Sequence, residues 1–346
     1  MPPRPPSARL LVDTAALVAN WRTFAAASGA AETGAAIKAD GYGLGAAGIF
    51  AALAAAGCRE FFVAHWAEVA ALGPLPAGVR VAVLHGAAPA EIPEALALPA
   101  RPVLVTAAQV AAWKSTGRPC DVMVDTGMNR LGLTPQEAVS GLLEGLDLDT
   151  LHSHLACTEL PAHPLNDAQR VAFTQLAARI PARRYALANS GGVCLGTDYL
   201  FGLTRPGIGL FGGGAGPGGA ALAPVAAISA LILQVRDVPA GASVGYAATF
   251  QAQRPTRVAV VALGYADGYP RSAGVQARAF VAGTACPLIG RVSMDLTTFD
   301  VTGAPSCAAG DWIDVDFNLA VLAAASGRTE YELLTGLGAR YARIYR

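Results

Sequence analysis

Charge is scarce in this chain. Of 346 residues only 14% are Asp, Glu, Lys or Arg, and the 25 basic residues are matched by 25 acidic ones. A formal net charge of zero leaves no electrostatic footprint for nucleic acid or an anionic lipid surface. No stretch of about 18 apolar residues free of charge and glycine occurs, so no transmembrane helix and no membrane partner are expected. Leu10-Leu11-Val12 is cut short by Asp13, too soon for the apolar core of a signal peptide. The six cysteines, at 58, 120, 157, 194, 286 and 307, form no Cys-x-x-Cys pair. Their spacing suggests neither a metal site nor a disulfide framework, and reduced thiols in a cytoplasmic protein are the plain reading.

What the chain has in quantity is apolar residues, at 53%. That is enough for a sizeable core, and the length suggests two domains. Residues 1–7, opening Met-Pro-Pro-Arg-Pro-Pro, read as a disordered tail. Residues 8–12 read as a lone strand, followed by Asp13 as the N-cap of a helix with Leu17, Trp21 and Phe24 on one face. Apolar runs then recur at about 34–38, 61–64, 79–84, 102–105, 120–125, 150–155, 184–189 and 204–209, with alanine-rich helical stretches between them. Eight strand–helix units predict an α/β fold with an N-terminal (β/α)8 barrel over 13–222. The glycine run at 211–219 reads as a flexible linker. Short Val-, Ile- and Thr-rich strands follow at 225–236, 257–263, 278–283, 297–301 and 311–315, with a helix from Glu330 to about Leu337. They predict a mostly β C-terminal domain over 223–346, which the strand at 8–12 joins.

Lys38 closes the first barrel run and opens a loop with glycines at 41, 43 and 45. A desolvated lysine amine has a lowered pKa and is more nucleophilic. A glycine loop lets backbone N–H groups approach a phosphate. Together they suggest a lysine that forms a Schiff base with a phosphorylated carbonyl cofactor; the competing reading is a solvated lysine on a surface turn. The barrel assignment puts Lys38 on the C-terminal rim, where such folds carry their active sites. Arg130, His154, Ser190, Arg205 and Gly207 fall on the same rim. Ser190-Gly-Gly and Gly207-Ile208-Gly209 follow the seventh and eighth strands, a usual phosphate site. Arg130 suits a carboxylate or a phenolate oxygen. Tyr246 could pack or act as an acid/base, Met294 could be gap-filling core, and Tyr265 lies in a turn. His65, His85, His152 and His163 have no evident partner.

Taken together, Lys38-Ala-Asp-Gly-Tyr-Gly-Leu-Gly45, Asp125–Gly132, Arg205-Pro-Gly-Ile-Gly, Val244–Phe250, Gly264-Tyr-Ala-Asp-Gly, Gly290-Arg-Val-Ser-Met-Asp295 and Tyr331-Glu-Leu-Leu-Thr resemble the motifs of the alanine racemase family, in order and from about Ala8 to Arg346. The resemblance implies a pyridoxal 5'-phosphate enzyme that interconverts L- and D-alanine, supplies D-alanine for cell-wall synthesis and works as a homodimer with active sites completed across the interface. It implies that Lys38 carries the cofactor and is one base, and that Tyr246 from the partner subunit is the other. Tyr42, Ser190, Gly207, Ile208 and Tyr331 would hold the phosphate. Arg205, supported by His154, would face the pyridine nitrogen. Arg130, Met294 and Tyr265 would contact or confine the substrate.

The chain also departs from the family's pattern. Asp40, Gly41 and Leu44 replace the usual asparagine, alanine and histidine of the lysine motif. Met123 stands where many members carry a carbamylated lysine that orients the arginine, leaving Arg130 to be held by something else. Ser153-His-Leu-Ala departs mildly from Thr-His-Phe-Ala. The runner-up readings are a broader racemase for serine or basic amino acids, a decarboxylase of the same two-domain architecture, and a barrel-only cofactor carrier.

Overall fold

The computed structural model describes residues 6–304 and 306–346, the side chain of residue 275 excepted. Most of the expected tail, residues 1–5, lies outside the described residues. At Ser7 the chain is already tied down, its carbonyl accepting the Leu231 N–H at 2.9 Å. The chain divides into two compact units. One comprises Leu17–Tyr42 and Ala46–Ala223; the other comprises the residues up to Ala16, Gly43–Gly45 and Pro224–Arg346.

The first unit is a (β/α)8 barrel. Ala35–Ala36, Glu60–Val63, Arg80–Val83, Arg101–Leu104, Cys120–Met123, Leu148–His152 and Arg184–Ala186 form seven parallel strands in chain order. Leu203–Thr204 pairs in parallel with Glu32–Thr33, just before the first of these strands. The circle is completed by backbone bonds: Gly34 N–H to Thr204 O (2.9 Å), and Gly202 N–H to Tyr185 O (3.1 Å). Helices cover the outside, so the strands are buried on both faces and read as near-continuous apolar runs.

Burial continues past the last ladder bond, with Ile37 at 0% and Leu155 at 2% exposure. Hydrophobicity therefore overruns the strand ends: Lys38, His154 and Arg205 stand one or two residues beyond their strands rather than within them. The opposite, N-terminal end of the barrel is ionic. Arg80 binds Glu32 (2.5 Å) and Glu60 (2.8 Å), Arg101 binds Glu60 and Asp121 (2.7 Å), and Arg184 binds Glu32 (2.8 Å), Glu60 (3.0 Å) and Asp149.

The glycine run expected to be a loose linker is structured. Ile208–Phe211 and Pro217–Gly219 form short 3-10 turns. Asn20, buried on the helix Thr14–Ser28, donates to the Leu210 and Ala223 carbonyls at 3.1 and 2.9 Å and accepts the Ala223 N–H at 2.8 Å. One side chain distant in sequence thus fixes both flanks, which composition cannot show.

The second unit is mostly strand. Its spine is Ala226–Val238, which pairs antiparallel with Ala8–Val12, Trp312–Val315 and Thr256–Val261, with an irregularity between Ile232 and Gln234. Ala8–Val12 pairs in parallel with Ala342–Tyr345 on its other side. The helix expected from Glu330 spans Glu330–Thr335 and begins with a Thr329/Glu332 capping box. A second helix, Leu319–Ser326, was not expected. It is capped by Asn318 and ended by Gly327 at φ 69°. Among the described residues, no helix is long and apolar enough to cross a membrane.

Candidate active site

Lys38 leads into a left-handed turn instead of an open glycine loop. Ala39, Asp40, Gly41 and Tyr42 have φ of 55°, 54°, 62° and 55°. Each non-glycine residue there costs roughly 1–2 kcal/mol, and such strain collects at functional sites. Specific bonds hold it. The Asp40 carboxylate accepts the Ala46 N–H (2.8 Å) and so starts the next helix. The Glu68 carboxylate accepts the Ala39 N–H (2.6 Å) and the Ala64 N–H (2.6 Å). The rest of the motif belongs to the strand-rich unit. Gly43, at φ 82°, has its carbonyl gripped by the Arg343 guanidinium at 2.8 Å, and a Cβ there would overlap the Leu334 carbonyl.

The Lys38 amine opens into a cavity of about 350 Å3 within the barrel unit, lined also by Met123, Asp125, Arg130, His154 and Arg205. Burial lowers the lysine pKa, and the Arg130 and Arg205 charges lower it further against a smaller opposing pull from Glu68. His154 is pushed well below its ordinary value by burial and then by Arg205, Arg130 and Lys38, so the ring is neutral. No hydrogen bond joins His154 to Arg205 among the described residues. The buried Arg205 guanidinium instead donates to the Ser153 and Leu187 carbonyls, and its Nε has no partner among the described residues.

Arg130 sits on a loop folded around Asp125, whose carboxylate accepts the Gly127, Met128 and Arg130 N–H groups at 2.8–2.9 Å. Those bonds outweigh burial and lower the Asp125 pKa. The loop fixes the backbone of Arg130 while its guanidinium stays exposed at the cavity. Met123, almost fully buried, lines the same cavity.

Beside this cavity Ser190, Gly207, Ile208 and Tyr42 converge. The Ser190 Oγ accepts the N–H groups of Gly207 (2.8 Å) and Gly209 (3.2 Å). The buried Tyr42 ring stacks on Phe211 at 4.6 Å. A Cβ at Gly207 would overlap the Tyr42 hydroxyl, so only glycine leaves this approach open.

Tyr246, Tyr265, Met294 and Tyr331 lie in the strand-rich unit. The Tyr265 and Ala266 N–H groups donate to the Ser293 and Met294 carbonyls (3.0 and 2.9 Å). Arg340 bonds Asp267 and Asp295, each at 2.7 Å, clamping the two loops. Tyr246 is 66% and Met294 55% exposed.

These features are those of a family. The description "Alanine racemase, N-terminal domain" matches residues 12–215, and "Alanine racemase, C-terminal domain" matches residues 225–345. The chain belongs to the alanine racemase family. It is 44% identical to the alanine racemase of Acidiphilium cryptum, over 97% of this chain and 98% of that protein. It is 41% identical to a catabolic alanine racemase of Agrobacterium fabrum, over 98% and 92% of the two chains. A crystal structure of the alanine racemase from Bartonella henselae, with covalently bound pyridoxal phosphate, superimposes with a TM-score of 0.89 at 36% identity, covering 99% of this chain and 100% of that one.

Sequence reasoning missed two groups near this alanine racemase-family site. His152, read as having no partner, is fully buried with Nε2 3.0 Å from an Asp121 carboxylate oxygen. Glu68, which braces the lysine turn, carries no motif that marks it in the sequence. A signal for Lys38 itself lay unused in the composition: only two of the 25 basic residues are lysines, Lys38 and Lys114.

Proposed function

We propose that this chain interconverts L-alanine and D-alanine with pyridoxal 5'-phosphate held on Lys38, by a two-base mechanism. The observation that carries the reading is a lysine of lowered pKa in a cavity with Arg130, Arg205 and His154, next to the Ser190–Gly207 approach. The residues present suit the cofactor. Lys38 would hold its carbonyl carbon. Tyr42, Ser190, Gly207, Ile208 and Tyr331 would hold its phosphate, Arg205 its ring nitrogen with His154 nearby, and Arg130 its phenolic oxygen. The orphaned, buried Nε of Arg205 fits a site that awaits an acceptor.

The cofactor, when bound, supplies an electron sink that acidifies the substrate Cα. The chain supplies the rest. Racemisation needs a proton taken from one face of Cα and one delivered to the other, hence two acid/base groups. Lys38 serves one face, and its lowered pKa leaves more of the amine neutral and ready to accept a proton. Tyr246 of the partner subunit serves the other. Its exposure on the single chain, shared by Met294, is what a second copy would cover. Tyr265 and Tyr331 would crowd a long side chain, which favours alanine, and Met294 would contact the substrate. Arg205, cationic, disfavours a proton on the ring nitrogen and so restrains side reactions. We place the enzyme in the cytoplasm, as a homodimer that supplies D-alanine for the cell wall. The catabolic relative makes breakdown of D-alanine the competing role; a D-alanine requirement in a strain lacking the gene would favour supply.

Borohydride treatment with pyridoxal phosphate should fix the cofactor on Lys38 and leave Lys114 unmodified. In Tyr246→Phe, followed by circular dichroism from each enantiomer, proton removal should fail far more for one alanine enantiomer than for the other. Equal loss from both sides would sink the two-base assignment, and faster turnover of arginine or lysine than of alanine would sink the substrate.

A further inference from the structure

Arg205 is a buried cation without a carboxylate in contact among the described residues. Its hydrogen bonds go to two backbone carbonyls, and its Nε has no partner among the described residues. A buried charge needs compensation. The carboxylate that favours its charge is Asp121, which is paired in turn with the His152 imidazole.

Geometry ties the three together. Asp121 and His152 are both fully buried on adjacent parallel strands, in which Met123 is in register with His152. His152 Nε2 is 3.0 Å from Asp121 Oδ2. Asp121 Oδ1 takes the Arg101 Nε at 2.7 Å and the Thr150 N–H at 3.1 Å. Phe62 joins the far side. The His152 ring meets it edge-on at 5.8 Å between centroids, and the Arg205 guanidinium carbon lies 5.9 Å from the same centroid. Arg205 is hooked to the carbonyl of Ser153, the residue after His152. Asp121 is ionised, its pKa about 2, and His152 is neutral, its pKa about 4, so Nε2–H donates to the carboxylate and Nδ1 keeps its lone pair.

We propose that Asp121, held by His152, is the counter-charge of Arg205, and that both are positioning residues for the ring-nitrogen contact given to Arg205 above, a reading on which this proposal rests. The arrangement has a chemical logic. A carboxylate in direct contact would consume the guanidinium N–H groups and draw the side chain away. Bonded to His152 instead, Asp121 still favours the charge and leaves Nε–H free to donate.

The test uses the loaded enzyme. The groups facing Arg205 are Asp121, Arg130, Lys38, His152 and His154. In Asp121→Asn, the pH titration of the bound cofactor's absorbance should move to lower pH by about one unit, a tenfold change in the protonation equilibrium. The 13Cζ–15Nε resonance of Arg205, assigned by its loss in Arg205→Lys, should move too. kcat should fall while KM for alanine holds. Asp149→Asn removes a carboxylate of the same ionic cluster that His152 does not touch, and should do none of this. His152→Gln, which keeps a donor for Asp121, should recover most of the midpoint, whereas His152→Ala should not; these two read the pairing if Asp121→Asn fails to fold. A folded Asp121→Asn that titrates as the unsubstituted enzyme does, or an Asp149→Asn that shifts as far, overturns the proposal. Failure to bind pyridoxal phosphate would instead remove the functional reading, and the Arg205 resonance in the unloaded protein would still decide the pairing.

Discussion

The two ends of the barrel use arginine in opposite ways. At the N-terminal end, Arg80, Arg101 and Arg184 are interleaved with Glu32, Glu60, Asp121 and Asp149, each guanidinium touching at least two carboxylates. At the C-terminal rim, Arg130 and Arg205 share a cavity with Lys38, and their guanidinium groups have no carboxylate in contact among the described residues. One end closes the barrel with matched charge. The other gathers positive charge that no carboxylate touches among the described residues, and this adds to burial in depressing the lysine. The difference separates arginines that hold the fold from arginines that serve chemistry, although the first set begins barrel strands and the second follows them.

Breaking the floor should therefore cost stability first. Arg101→Met leaves Glu60 and Asp121 buried with a partner fewer each, and loss of one member of a buried ionic cluster typically costs about 3–5 kcal/mol. Arg130→Met at the rim should leave stability within about 0.5 kcal/mol, as an exposed side chain outside such networks. Urea unfolding of the two variants checks this. Equal losses would mean that the rim arginine is structural after all.

Acid should reach the same floor in two stages. His152 is lowered from 6.5 to about 4, because burial disfavours the charged ring more than Asp121 favours it. A group harder to protonate when folded stabilises above its ordinary value, and its contribution drains away as pH falls from 6.5 towards 4, about 3 kcal/mol in all. Asp121, against its burial, is lowered from 3.8 to about 2 by Arg101 and then His152. Its contribution, about 2 kcal/mol, is lost as pH falls from about 4 to about 2. Urea midpoints against pH should show the upper limb, and His152→Gln should flatten it. A flat profile from 6.5 to 4 would remove His152 as its source.

This contrast also explains what could be read without coordinates. The rim was legible because Lys38, Arg130, Ser190 and Arg205 each follow an apolar run, and the barrel rule turns strand ends into one surface. The floor was not. Asp121 finds His152 on the neighbouring strand, 31 residues away, and Glu60 reaches Arg101 two strands over, 41 residues away. Periodicity within one strand says nothing of such pairs, and so gives His152 no partner. The handedness of the turn after Lys38 was hidden for another reason. Three of its four residues are not glycine, so conformational preference argues against what Asp40 and Glu68 impose.

That turn gives the finest test of the contrast, because it is a rim element held by a carboxylate. Asp40 serves as an acceptor for the Ala46 N–H at the start of the helix Ala46–Ala55, and it stands at φ 54°. Asparagine caps a helix as well as aspartate and tolerates left-handed backbone as readily. Asp40→Asn, which restores the residue usual in the lysine motif, should therefore change stability by less than about 0.5 kcal/mol. Asp40→Ala removes the cap and adds left-handed strain, costing about 1–2 kcal/mol. If the carboxylate's charge mattered rather than its acceptor oxygen, the asparagine variant would fall with the alanine one. Thermal unfolding of the pair separates the two accounts, and with them whether negative charge on this rim serves geometry alone.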